Sequence, residues 1–232
     1  TIGAKNFDAE YQMNPSREAY QINITPQLIA QRINQHKRLE IPPGFVFVSC
    51  AIDINASYAI TALVMAWRVD TTSVIPWHKV YKCNIDSKLT DIEYNQALYA
   101  KLEQVLCDIS NLGIPINACA IDCGGKNWDT VLLFAKNSGG RFGFPICGFA
   151  GRSAANFNPN TRSRLRNAIG KTVFCGNAES HINGGDGYKY VFFDADFYKE
   201  QAQRAFLSPA GAAGSTSLYY TTDTHEHTDI AI

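Results

Sequence analysis

Apolar side chains concentrate first in residues 45–54 (FVFVSCAIDI), a run dense enough in β-branched and aromatic residues to predict a buried strand. A turn at Asn55-Ala56-Ser57 leads into a second such run, residues 58–69, and residues 74–83 make a third. Three strands joined this tightly predict an antiparallel meander. Ile92, Leu98, Leu102, Val105, Leu106 and Ile109 then recur at helical spacing, which predicts a helix from about Thr90 to Asn111, closed by Gly113 and Pro115. Residues 116–121 predict a fourth strand ending in Asp122-Cys123-Gly124-Gly125. A helix over 128–135 followed by a strand over 144–149 makes a parallel crossover. Further on, residues 172–175 and 188–193 flank a glycine-rich turn at 183–187 and predict a hairpin. A helix over 195–206 follows, then a flexible Pro-Ala-Gly stretch, then residues 224–232, which read as the opening turns of a last helix.

Upstream of the meander, residues 1–24 have no sustained period and contain the loop signal Asn14-Pro15-Ser16. Thr25-Pro26 opens a short helix with Leu28, Ile29 and Ile33 along one stripe, and Pro42-Pro43-Gly44 ends the segment. The chain therefore divides into an N-terminal arm with a short helix over 1–43 and one domain over 44–232. Its fold class is α/β: three antiparallel strands followed by parallel strands, a mixed sheet with helices on both faces. That order is the plan of the RNase H-like fold.

Composition narrows the function less than the pattern does. At 46% apolar residues the chain can build a large core, which excludes wholesale disorder. The longest clean apolar stretch, residues 59–67, is too short to span a bilayer, and no secretion signal opens the chain. Thr1 in place of Met suggests an excised domain or a trimmed chain. Seven scattered cysteines with no CxxC argue for free thiols in a reducing cytoplasm rather than for zinc or disulfides. Charge matters through its distribution: 21 basic and 21 acidic residues cancel, yet residues 137–178 hold no acid at all. That stretch carries Arg141, Arg152, Arg162, Arg164, Arg166 and Lys171, and an acidic region follows it. A phosphate-binding surface beside a metal site fits this order, and so does a solvated face.

Asp53 ends an almost wholly apolar strand, where a charge is costly unless paired or bound to metal. Asp122 ends the fourth strand in the same way. If those strands are neighbours, two carboxylates emerge at one sheet edge, where they raise each other's pKa unless a divalent cation neutralises them. Either residue alone reads more readily as a turn cap. The two together, in this element order, favour a site for Mg²⁺ or Mn²⁺. A third acid must come from another element, and Asp194, Asp196, Asp223, Glu226 and Asp229 are the candidates. Asp194 and Asp196 stand at a helix start, where N-capping explains them. Asp229 is preferred because RNase H-like enzymes carry their last carboxylate on the terminal helix, with Glu226 one turn earlier as an additional ligand. His225 and His227 do not share a helix face, which argues against zinc. Gly124-Gly125-Lys126-Asn127 lacks the rest of a nucleotide-binding loop.

Several stretches together resemble the nuclease domain of the large terminase subunit of tailed bacteriophages. Phe7-Asp-Ala-Glu-Tyr-Gln-Met-Asn-Pro15 is similar to that family's F-x-x-E-Y-x-x-x-P segment between the ATPase and nuclease halves. Ser49-Cys-Ala-Ile-Asp53 resembles its first catalytic strand, and Ala120-Ile-Asp-Cys-Gly-Gly125 its D-x-G strand end. Phe193-Asp-Ala-Asp-Phe-Tyr-Lys199 resembles the stretch before its late helix, and His225-Glu-His-Thr-Asp229 the region of its final acid. The resemblance implies metal-dependent endonucleolytic cutting of concatemeric double-stranded viral DNA during packaging, in the host cytoplasm at the procapsid portal. It implies two ions, Mg²⁺ or Mn²⁺, one between Asp53 and Asp122 and one shared by Asp53 and Asp229. Arg152, Arg162, Arg164, Arg166 and Lys171 are then the duplex contacts. An upstream ATPase domain, the portal and a small terminase subunit are the implied partners, with no membrane. A junction resolvase, a transposase core and a non-catalytic docking module are the rival readings.

Overall fold

The computed structural model describes residues 24–55, 59–83, 89–152, 164–166, 172–181, 187–223 and 226–227. Arg162, Lys171, Asp229, the first 23 residues and most of the expected terminal helix lie outside the described residues. The short helix α1 (Pro26–Ala30) starts as expected, with Thr25 Oγ1 accepting from Leu28 N at 3.2 Å and proline in the first turn. The meander follows as β1 (Phe47–Ile54), β2 (Ala59–Trp67) and β3 (Ser73–Lys82), antiparallel throughout. Helix α2 (Asp91–Ser110) opens on a capping box, Thr90 with Glu93, and β4 (Ala118–Asp122) then pairs parallel to β1. A 3₁₀ turn (Gly125–Asn127), α3 (Trp128–Asn137) and β5 (Ile146–Arg152) complete the crossover, with β5 parallel to β4.

Beyond β5 come β6 (Arg164–Arg166), β7 (Thr172–His181), β8 (Gly187–Asp194), α4 (Ala195–Leu207) and β9 (Thr216–Leu218). The described strands form one sheet in the order β6-β7-β8-β5-β4-β1-β2-β3-β9. It is the expected RNase H-like plan, antiparallel first and parallel after. Two strands were not expected. β6 lies inside the basic block, and β9 follows the Pro-Ala-Gly stretch and pairs parallel to β3, from Ser73↔Thr216 to Ile75↔Leu218.

Strand alternation sorts the side chains onto two faces. Val48, Cys50, Ile52 and Ile54 of β1, with Cys119 and Ile121 of β4, pack against Leu98, Leu102, Val105 and Leu106 of α2 and Val131, Leu132 and Phe134 of α3. Helix α3 approaches so closely that a Cβ added at Gly148 of β5 would lie 2.6 Å from Leu132 Cδ2. The other face carries a smaller cluster of Ile29, Ile75, Phe206 and Leu218, with Leu63 and Met65 against it. Helices thus cover both faces, but the second face remains open over the ends of β1 and β4.

Residues 32–36 are laid along β9 and the residues that follow it. Ile33 bridges Leu218 in parallel, Asn34 N donates to Leu218 O and Leu218 N to Arg32 O, both at 2.8 Å, and Tyr220 N donates to His36 O. The buried Arg32 side chain donates to Phe206 O and Leu207 O, satisfying carbonyls at the end of α4.

Candidate active site

Two strand ends build the site. Ile52 of β1 is the register partner of Ile121 of β4, so the next residues along, Asp53 and Asp122, stand side by side on adjacent parallel strands. Alternation turns both away from α2 and α3, with Ser49, Ala51, Ala118 and Ala120 leading up to them on the open face. The small residues beneath the pair leave this face uncrowded. In the antiparallel direction Asp53 faces Thr61 of β2, and Asp122 pairs with Phe149 of β5.

Asp122 is fixed by its own loop. Its Oδ1 accepts from Gly124 N at 3.1 Å, and a Cβ at Gly124 would come to 3.4 Å from both carboxyl oxygens. Gly125 follows with φ +60°, a backbone conformation that glycine adopts without strain and that turns the chain into the 3₁₀ turn. Buried Asn127 at the end of that turn accepts from Tyr94 Oη at 2.6 Å, which ties the loop to the first turn of α2.

Electrostatics sets the pair apart from ordinary surface acids. Desolvation raises the Asp53 carboxyl pKa, although the residue as a whole is exposed at the sheet rim. Asp122 is raised chiefly by desolvation and further by the charge of Asp53, and the Gly124 N–H opposes the shift. Two hard carboxylates whose joint ionisation is disfavoured fit a divalent cation, which would neutralise them together. Among the described residues no group of three His, Cys, Asp or Glu side chains stands close enough to hold an ion, so this pair is two-thirds of a carboxylate site at most.

The remaining candidates are dispersed. Asp194 is the N-cap of α4, accepting from Phe197 N at 3.1 Å, and Asp196 is exposed in the first turn. Glu226 lies in a turn, not on a described helix, and it is not brought to Asp53 and Asp122. Its carboxylate accepts from Tyr219 Oη and Thr221 Oγ1 and lies 3.5 Å from Arg38 Nη1. These hydrogen bonds, Thr221 first, lower its pKa. Arg152 ends β5 in register with Asp194, and Arg164 and Arg166 form the edge strand β6, four strand positions from β4. A further pair had no local signal: His78 of β3 and His227, 149 residues apart, meet in the interior with Tyr219.

The sequence family described as "Terminase large subunit gpA, endonuclease domain" matches residues 12–213. The chain belongs to that family. Comparison of this terminase nuclease domain with curated proteins finds no match. Among solved structures, the human cytomegalovirus terminase nuclease domain aligns with a TM-score of 0.45 and 9% identity, covering 88% of this chain and 81% of that one. RuvC from Thermus thermophilus aligns at 0.31 and 17%, over 45% of this chain and 62% of its own. The large terminase of a thermophilic bacteriophage aligns at 0.31 and 13%, over 52% of this chain. The terminase nuclease domain thus spans 26% of that phage protein's length. No described helix of the domain is long and apolar enough to cross a membrane.

Proposed function

We propose that this terminase nuclease domain is a divalent-metal-dependent endodeoxyribonuclease that cuts concatemeric double-stranded viral DNA during genome packaging. The observation that carries the reading is the side-by-side placement of Asp53 and Asp122 on the open sheet face, with both carboxyls raised. Asp53 and Asp122 would hold one Mg²⁺ or Mn²⁺, and Asp53 with Asp229 would hold a second. When bound, such ions supply positive charge at the phosphodiester and lower the pKa of water. Gly124 N–H keeps one Asp122 oxygen turned back toward the loop, which leaves the other for a cation. The small side chains under the pair let a phosphodiester backbone approach the sheet end. Arg152, Arg162, Arg164, Arg166 and Lys171 contact phosphates and hold the duplex without reading its sequence. Strand β6 stands four spacings from β4, about 19 Å at the usual ~4.8 Å each, so the contacts of Arg164 and Arg166 fall several base pairs from the cut. An upstream ATPase domain, the portal and a small terminase subunit complete the packaging machine in the host cytoplasm.

Plasmid nicking and linearisation with Mg²⁺, with Mn²⁺ and with EDTA tests this, run beside Asp53→Asn and Asp122→Asn. Cutting that needs the cation and is abolished in both variants is expected, with folding and DNA binding retained. Normal cutting by either variant would overturn the assignment. Strong preference for a branched substrate over linear duplex would instead make the domain a junction resolvase.

A further inference from the structure

Tyr94 grips two successive residues of the loop that follows Asp122. The side chain belongs to the first turn of α2, is 6% exposed, and lies in the same buried cluster as Leu98 and Leu102 of that helix. Its hydroxyl donates to Asn127 Oδ1 at 2.6 Å, and Lys126 Nζ stands 3.9 Å from the centre of its ring. Asn127 is buried as well, which shields the hydrogen bond from competing water. The capping box of Thr90 and Glu93, with Tyr94 N donating to Thr90 O at 2.9 Å, fixes the turn from which the ring projects.

The loop requires an anchor of this kind. The sheet holds the chain as far as Cys123, whose N–H donates to Phe149 O at 3.0 Å. Gly124 and Gly125 come next, and glycine has the widest backbone freedom of any residue. Yet the Gly124 N–H, 3.1 Å from Asp122 Oδ1, is what orients the carboxylate. Asn127 N closes back on Gly124 O at 3.4 Å, so hydrogen bonds run without a break from Tyr94 through Asn127 and Gly124 to Asp122. We propose that Tyr94 is a positioning residue: by anchoring Asn127 it sets the Gly124 amide and, through that amide, the orientation in which Asp122 meets its cation. This rests on the reading of Asp122 as a cation ligand. A hydrogen bond is directional, so the hydroxyl fixes the loop in a way that ring packing alone would not.

Calorimetric titration of the full chain with Mn²⁺, without DNA, tests the proposal on Tyr94→Phe, Asn127→Ala, their double variant, Asp122→Asn and Ser138→Ala. Tyr94→Phe keeps the ring and removes only the hydroxyl. It should weaken Mn²⁺ binding roughly tenfold, the lower end of the loss usual for a group that orients a metal ligand. Asn127→Ala breaks the same bond from the other side and should do the same, so the link is read even where one variant folds poorly. The double variant should bind no more weakly than Asn127→Ala alone. Ser138→Ala removes a buried hydrogen bond to Phe134 O at the far end of α3, and it should leave the affinity unchanged. Undiminished Mn²⁺ binding by Tyr94→Phe, additive losses in the double variant, or an equal loss in Ser138→Ala would overturn the positioning role while leaving Asp122 as a ligand. Unchanged Mn²⁺ binding by Asp122→Asn would overturn the reading of Asp122 itself, and the role of Tyr94 with it.

Discussion

Replacing Asp53 with Asn should make the metal-free protein more stable. Both carboxyls are raised, so the folded chain binds their protons more tightly than the unfolded chain does. The stability they contribute is present at low pH and is lost as pH rises through the raised values. Where both are ionised, the two charges stand on neighbouring strands about 5 Å apart. Coulomb's law gives about 0.8 kcal/mol of repulsion at water's dielectric and about 3 kcal/mol at an effective value near 20. Asp53 is exposed, so the lower end applies, about 1 kcal/mol at low salt and less at high salt. Asp53→Asn removes that repulsion at constant shape, and in a domain of this size the melting temperature should rise by about 2–4 °C. A cation at a hundredfold excess over its Kd should stabilise the parent by about 2.7 kcal/mol, or roughly 5–11 °C, and the variant far less. Scanning calorimetry at pH 7.5 in EDTA, then in Mn²⁺, reads both effects. A variant that melts at or below the parent in EDTA would refute the close like-charge pair. Equal stabilisation of parent and variant by Mn²⁺ would refute the pair as the cation's ligands.

Gly148→Ala should lower the melting temperature by about 2–12 °C. Its Cβ would come to 2.6 Å from Cδ2 of the buried Leu132, so that side chain or the backbone must shift, an overpacking cost of about 1–3 kcal/mol. Gly139→Ala, where the nearest atom is 3.9 Å away, is the matched control and should change little. Charge reversal at Arg162, Arg164 and Arg166 together should weaken duplex binding and reduce its log–log salt slope by up to about three, at roughly 0.9 per lost phosphate contact. Coincident salt titrations of the variant and the parent would make the basic block a solvated face.

The framework was legible because its signals are local. The run from Val48 to Ile54 alternates toward a buried face, and Asp53 stands out as the charge on the opposite phase. Asp122 stands in the same way on β4, and the connection from β3 through α2 returns the chain to lay β4 parallel beside β1. Thr90 and Glu93 announce the start of α2 by direct chemistry. The short strands were not legible. β9 has three residues, and it is a strand because β3 and residues 32–36 supply partners on both sides. β6 is an equally short piece of the basic block, defined only by its pairing with β7. Helical spacing placed Glu226 among the metal ligands, but Tyr219 and Thr221 lie close enough to claim its oxygens. His78 could not be singled out, since nothing near it in the chain hints at a partner 149 residues on.

The seating of β9 between β3 and residues 32–36 also sets a timetable for a newly made chain. Asn34 and Ser217, joined at 3.1 Å, are 183 residues apart. At about 5–20 residues per second, the ribosome needs roughly 10–40 s to travel between them. For that interval the outer edge of β3 has no strand beside it, and Ile29 and Ile75 lack the Phe206 and Leu218 that cover them. The meander and its helices can consolidate early, because their contacts are short in sequence. The β3 edge and the small apolar cluster remain open to other chains until residues 206–218 have been made, so aggregation should begin there.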